Sequence, residues 1–495
     1  MKKIISIIIV LFFIVNSFSV VSISLKKGSI KSQELKKNSN VYDMIVIFPS
    51  EFSEEIQPLI DHKNNLTPPV KTKALTTEFI FSNYQGRDDS EKIKYCIKNS
   101  IEDWGINFVL LIGNRSKVPV RYVCPIPELM RKIFKILKSR LHIAEPFISD
   151  LYYADIYDST GDFCNWDANN NDLFGESDID FKNETCVNLD RVDFNPDVYI
   201  GRLLCSNESE VIVSVNKIIN YEKNSYNQPW LENMIICGGN EHKNIRELTL
   251  IKILLGLYPT WEGQYIGNHV ENIMNDYKVI KLYASATRPI LKFIYDSEPL
   301  TKENILKYFN SGAGFFLVSA HGNPYVWTTY APGVLRRLLR MVPIGENPKN
   351  MYGILDIQKL NNSEKLPLVV LNICSGADFS INSPTESPIA WEYVKHPTGG
   401  AIACFALSHY GLVSKGYEST KIFSGHMAID IFKSYKDGFN QPGAMLGNTV
   451  KKYLEDIDID SEAEYQFFSY HALTLYSWML LGDPSLKIGG YPKTN

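Results

Sequence analysis

The sequence has no excess of basic charge, no CxxC pair, no second long apolar run and no repeat of fixed period. Each absence removes a class of function. A net charge of −4 gives no electrostatic footprint for a nucleic acid, which calls for a basic domain. The eight cysteines stand singly, at 96, 124, 164, 186, 205, 237, 374 and 404, so a zinc site of paired cysteines is not indicated. Beyond the N-terminal segment no apolar stretch reaches the roughly 20 residues that a spanning helix needs.

What is present suits a soluble α/β body. Of the 495 residues 45% are hydrophobic and 21% charged, which is ample for a large core. Lys2 and Lys3 precede a nearly continuous apolar run from Ile4 to Val15, and Ser17, Ser19 and Ser22 follow. That is the pattern of a signal peptide over residues 1–22 and places the protein outside the cytoplasm, secreted or at the cell surface. An uncleaved N-terminal anchor is the rival reading. Residues 23–40, polar and lysine-rich, are expected to be a disordered lead-in.

From residue 41 apolar runs of strand length alternate with helical periodicity. YDMIVIF (42–48), PVKTKAL (69–75) and NFVLLIG (107–113) are expected strands, with helices over 51–63 and 90–104. DVYIGRL (197–203), MIICGG (234–239), KVIKLYA (278–284), GFFLVSAHG (314–322), LPLVVLNICSG (366–376) and GAIACFALS (400–408) continue the strand series. Alternation of this kind predicts open, mostly parallel sheets covered by helices. The pattern divides near residue 195, into an N-terminal α/β subdomain (41–195) and a second one (196–489), with a short tail at 490–495. Residues 128–147 form a basic amphipathic stretch, expected to pack on the body with its lysines in water. Export permits disulfides, and Cys164 with Cys186 is one possible bridge.

Two of these strands run straight into reactive side chains. FFLVSA is followed by His321–Gly322, and LPLVVLNI by Cys374–Ser375–Gly376. Ligands of open parallel sheets sit beyond the carboxyl ends of the strands. A histidine and a cysteine at two such ends can face one crevice, where the imidazole activates the thiol or protonates a leaving amine. Gly322 removes a side chain beside the histidine, so its N–H and that of Cys374 could cradle an oxyanion. Taken singly, a cysteine after an apolar strand is usually a core residue; the pairing is what points to catalysis.

At these residues the chain resembles the gingipain-like family of cysteine peptidases, in the caspase-like clan. The blocks that carry the resemblance are PDVYIGRL with NKIINYEK, FFLVSAHG with Trp327, LNICSGADFS, the helix with Trp391–Glu392, TGGAIACFALSHYG and LLGDPSL, from about residue 40 to 489. The resemblance implies a caspase/gingipain-like fold, with Cys374 as nucleophile, His321 as general acid/base and Gly322 at the oxyanion hole. It implies an acid that orients the histidine, for which Glu241 is the nearest match. It also implies an acid in the substrate pocket where basic residues are preferred. This chain has Gly267 and Asn268 in that region, with Glu271 nearby, so a basic preference is not established. Ser408, His409 and Tyr410 follow the strand after the nucleophile and are expected to line the pocket, with Trp327 and Tyr330 at its rim or simply packed. The segment around 334–350 is longer than the resemblance implies, and is either a lid or a surface elaboration.

Asp167, Asn169 and Asn171 place oxygens at alternate positions, with Asp172, Glu176 and Asp178 close behind. That spacing suits a structural Ca²⁺, which the resemblance also favours, although Asp172 replaces the glycine of an EF-hand loop. The alternative is a solvated acidic loop. The reading that results is a secreted endopeptidase acting on proteins or peptides through an acyl-enzyme. A transpeptidase that joins proteins to a surface anchor, or a silent binding protein of the same fold, are the rivals.

Overall fold

The computed structural model describes residues 41–136, 142–180, 185–239, 261–287, 292–293, 296–329, 350–380, 387–457 and 465–492. Residues from 40 onward belong to one compact unit. The main strands are β1 (Met44–Phe48), β2 (Thr72–Thr76), β3 (Phe108–Ile112), β4 (Tyr199–Leu203), β5 (Asn233–Gly238), β6 (Lys278–Tyr283), β7 (Glu298–Pro299), β8 (Phe315–Ser319), β9 (His321–Asn323), β10 (Val326–Thr329), β11 (Asn350–Gly353), β12 (Leu368–Asn372), β13 (Ala403–Leu407) and β14 (Trp478–Leu481). The main helices are α1 (Ser53–Asn64), α2 (Asp89–Trp104), α3 (Glu208–Asn224), α4 (Glu262–Ile273), α5 (Lys302–Ser311), α6 (Ile389–Lys395), α7 (Phe423–Lys436), α8 (Pro442–Asp456) and α9 (Tyr465–Ser477).

Eleven strands form one sheet in the order β7-β6-β5-β8-β12-β13-β14-β4-β3-β1-β2. Both faces are covered, which is why the strands are apolar throughout rather than alternating. Along β1, Ile45 and Ile47 enter one core while Met44, Val46 and Phe48 enter the other. Along β8, Phe315 and Leu317 separate from Phe316 and Val318 in the same way. Helix starts are marked by capping side chains: Asp88 accepts from Glu91 N at 2.8 Å before α2, and Asn207 from Glu210 N at 3.1 Å before α3.

The two halves expected from the sequence are two parallel blocks of this single sheet. Their boundary is not at residue 195. β4 pairs in parallel with β3, so it belongs with the N-terminal strands. The last strand, β14, sits at the seam, antiparallel to β13 and parallel to β4. Gly201 is required there, because a Cβ on it would lie 2.3 Å from Gly482 O.

The seam is locked by buried charge. Arg202 makes a two-pronged pair with Asp150, at 2.8 and 2.7 Å. Lys63 on α1 meets Glu222 on α3 at 2.8 Å and Asp483, just past β14, at 2.7 Å, and all three side chains are fully buried. Burial works to lower the Lys63 pKa, but Asp483 and Glu222 overcome it and hold the ammonium above its ordinary value. Removing Lys63 leaves the Glu222 and Asp483 carboxylates buried without the ammonium between them. Lys63→Ala is therefore expected to cost about 3–5 kcal/mol in denaturant unfolding. Glu232→Ala, in the exposed pair with Lys278, should cost under about 1 kcal/mol. Equal small losses would refute the role of the seam charges.

Candidate active site

β8 and β12 are neighbours in the sheet, with Ser319 opposite Asn372. Asn372 Nδ2 donates to Ser319 Oγ at 3.0 Å and ties the two strand ends. His321 and Cys374 each lie two residues beyond this matched pair. The parallel register thus brings them to the same edge of the sheet on adjacent strands.

Local structure then aims each one. After β8 the chain enters the hairpin β9–β10, with His321 opposite Thr328 and Gly322 opposite Trp327. Asn323 closes its turn by accepting from Tyr325 N and Val326 N at 2.9 and 3.1 Å. Trp327 is buried and packs on Tyr352 of β11 with 5.4 Å between ring centroids. It anchors the hairpin that holds His321 and does not form a pocket rim. Gly322 sits against Ile373, the residue before the cysteine; a Cβ there would be 2.8 Å from Ile373 Cβ. The histidine strand can therefore close on the cysteine only because residue 322 has no side chain.

Past Cys374 the backbone turns sharply. Ser375 has φ 55° and donates its N–H to His409 O at 2.7 Å. The Cys374 thiol is half-buried and donates to Gly411 O at 3.7 Å. The other described cysteines with a free thiol are all buried: 96, 124, 164, 205, 237 and 404. Burial pushes their thiols up, Cys96 to about 11 and Cys164 to about 12. A thiol that stays protonated is a poor nucleophile, and among these cysteines Cys374 is the one not buried. The Cys164 thiol faces Asp190 O at 3.6 Å, and the Cys186 side chain lies outside what is described.

Ser408 and His409 support the loop from behind instead of lining it. Ser408 Oγ donates to Ile148 O at 2.6 Å, and its side chain is buried. The His409 ring stacks on Phe147 at 4.3 Å and 4°, with Nε2 3.3 Å from Ile143 O. Tyr410 packs edge-on against His409 at 5.1 Å. Glu241, Tyr330 and the segment 334–349 lie outside the described residues.

The pocket acid sought near residue 268 is not there. Asn268 accepts from Tyr283 OH at 2.8 Å, and Glu271 pairs with Lys281 at 2.9 Å. A different carboxylate stands closer to the strand ends. Glu262 opens α4 and is buried, and its Oε1 accepts from Gly416 N at 3.0 Å. The next residue, Gly263, abuts the sheet edge itself: a Cβ there would be 2.4 Å from Ser319 O and 2.6 Å from Gly239 N. Glu262 thus joins the wall beside His321 to the loop that carries Gly411.

Asp167, Asn169, Asn171 and Glu176 do converge, but not as an oxygen cage. Asp167 is buried; it pairs with the Arg87 guanidinium and accepts from Asn171 N at 2.9 Å and Asp172 N at 3.1 Å. Asn169 and Asn171 turn their Nδ2 groups to Glu176 Oε2, at 3.3 and 2.6 Å. Their oxygens accept from Asn171 N and Leu173 N. Donor hydrogens face the carboxylate where calcium would need oxygens. As arranged, these residues form a loop closed by Arg87.

An open, mostly parallel sheet with a thiol and an imidazole at adjacent strand ends is an architecture suited to a cysteine peptidase. Residues 37–489 match Peptidase family C25, and the chain belongs to that family. Gingipain R2 of Porphyromonas gingivalis is 20% identical over 457 residues, covering 90% of this chain and 46% of the relative. Gingipain R1 of the same organism is also 20% identical, over 34% of its length. The chain thus spans less than half of these relatives. The complex of RgpB pro- and mature domains superposes with a TM-score of 0.57 at 19% identity, covering 90% of this chain and 79% of that one. The Arg-specific cysteine proteinase gingipain R gives 0.54 at 17%, covering 92% and 80%. These structures establish the shared fold.

A loop closed by Arg87 predicts the same melting temperature in EDTA and in millimolar calcium, to within about 1 °C, because a ligand that does not bind the native state cannot shift it. A rise of several degrees with calcium would restore the cage reading.

Proposed function

We propose that the chain is a cysteine endopeptidase, exported from the cytoplasm, in which His321 and Cys374 form the catalytic pair. The observation that carries this is the matched position of the two residues, each two past the Ser319–Asn372 register pair. The Cys374 thiolate attacks the scissile carbonyl carbon and forms a C–S bond. Charge moves to the carbonyl oxygen, where the N–H groups of Gly322 and Cys374 are suited to receive it. His321 gives its proton to the departing amine as the C–N bond breaks. Water, deprotonated by the same imidazole, then attacks the thioester and frees the acid and the thiol. An amine in place of water would make the same site a transpeptidase.

For export the support is the N-terminal pattern of residues 1–22. Among the described residues no helix is long and apolar enough to cross a membrane.

We assign Glu262 to the substrate pocket. A buried carboxylate on the wall beside the strand ends offers a counter-charge to a basic side chain, which would otherwise be costly to desolvate. One structural relative is Arg-specific, which agrees with this reading.

The test is cleavage of an unbiased peptide mixture by the chain, by Cys374→Ala and by Glu262→Gln. Cys374→Ala should lose at least about 10³-fold in rate. Cut sites should follow Arg or Lys, and Glu262→Gln should lower kcat/KM for them about 100-fold. Cleavage that survives Cys374→Ala would overturn the mechanism. Cleavage after apolar residues, unaffected by Glu262→Gln, would overturn only the pocket assignment.

A further inference from the structure

Outside the crevice, α7 and α8 form an antiparallel pair. Ser434 Oγ meets Thr449 Oγ1 at 3.1 Å, and Lys452 pairs with Asp437 at 2.8 Å. At the open end of this pair stand His426, Asp430 and Asp456. His426 and Asp430 are four residues apart and share one face of α7, while Asp456 is the last residue of α8.

The three side chains point to one spot. His426 Nε2 lies 2.8 Å from Asp430 Oδ2 and 3.2 Å from Asp456 Oδ2, and all three atoms are within 4.8 Å of one another. Ligands of a tetrahedral ion with bonds near 2.0–2.1 Å stand about 3.3 Å apart, so little movement is needed to admit one. The hydrogen bonding points the same way. The imidazole nitrogen is hydrogen-bonded to Asp456. Asp430 is completely buried, and neither of its oxygens receives a well-directed hydrogen bond, although His426 and Lys433 are close. Lys433 Nζ lies 2.6 Å from Oδ1, leaving Oδ2 toward the other two ligands. Asp456 is 54% exposed, so an ion can enter from solvent.

We infer that His426, Asp430 and Asp456 form a site for a divalent transition metal of the zinc class, with water completing the shell. The imidazole nitrogen favours zinc over calcium or magnesium, which prefer all-oxygen shells. The ion would clamp the first turns of α7 to the end of α8. That clamp stands behind the active-site loop: Ser424, two residues before His426, donates to Leu412 O through both N and Oγ, at 3.1 and 2.7 Å, and Gly411 touches Cys374. The inference does not depend on the peptidase reading.

The test uses the full chain carrying Cys374→Ala, so that the half-buried thiol cannot itself bind zinc. Metal-stripped protein is titrated with Zn²⁺ against a chromophoric chelator and, in parallel, with Co²⁺. One equivalent of Zn²⁺ should bind, and Co²⁺ should give the visible absorption of a four-coordinate ion. His426→Gln should weaken binding at least about 100-fold, and Asp456→Asn, at a half-exposed position, at least about 10-fold. No binding at micromolar Zn²⁺ would overturn the site. So would affinity unchanged in both variants, and the cluster would then be a histidine bridging two carboxylates. If His426→Gln does not fold, Asp456→Asn decides alone.

Discussion

Everything at the active site depends on one pairing, Ser319 of β8 opposite Asn372 of β12. A slip of one residue in either strand would turn every inward side chain to the opposite face, so the buried cores on both sides of the sheet enforce the register. Because the register is enforced, the distance between His321 and Cys374 is set by the core and not by the loops that follow. The Asn372–Ser319 hydrogen bond and the contact of Gly322 with Ile373 refine a position that strand packing has already chosen.

The same logic explains the polar residues of the motifs away from the crevice. Arg202 in YIGR and Asp483 in GDPSL do no chemistry on a substrate; both are buried ionic pins where the C-terminal strand joins two parallel blocks. Because β14 lies between two blocks of strands that precede it in the chain, the sheet cannot be completed before β14 has been made. The seam charges make that strand specific, since a neutral substitute for Arg202 would leave Asp150 buried without its partner, and one for Asp483 would take from Lys63 one of its two carboxylates.

Much of this was legible in the residues. Strands such as FFLVS and LPLVVLN announce themselves because burial on both faces leaves no polar positions, and reactive side chains directly after them mark the crevice. Other features were not. Trp478–Leu481 is an equally apolar run, but nothing local says that it pairs across the seam. Ser408 and His409 show their identity in the sequence but not their direction, and both turn away to Ile148 and Phe147. Gly411 reaches Cys374 through its carbonyl, which every residue has. Glu262 is a lone acid whose importance comes from Gly263 fitting against Ser319 and Gly239. The Asp167 loop has a calcium-like spacing, and only the fold supplies Arg87 to close it.

The central claim is that the fold makes Cys374 reactive through His321. Its most direct measurement is the rate of alkylation at Cys374 as a function of pH, located by mass spectrometry, in the native chain and in His321→Ala. The buried cysteines serve as internal controls. The account predicts fast labelling confined to Cys374, with a thiolate persisting well below the ordinary thiol pKa of about 8.5, and a return to ordinary behaviour in His321→Ala. Labelling of Cys374 with an ordinary pH profile that His321→Ala does not change would contradict it.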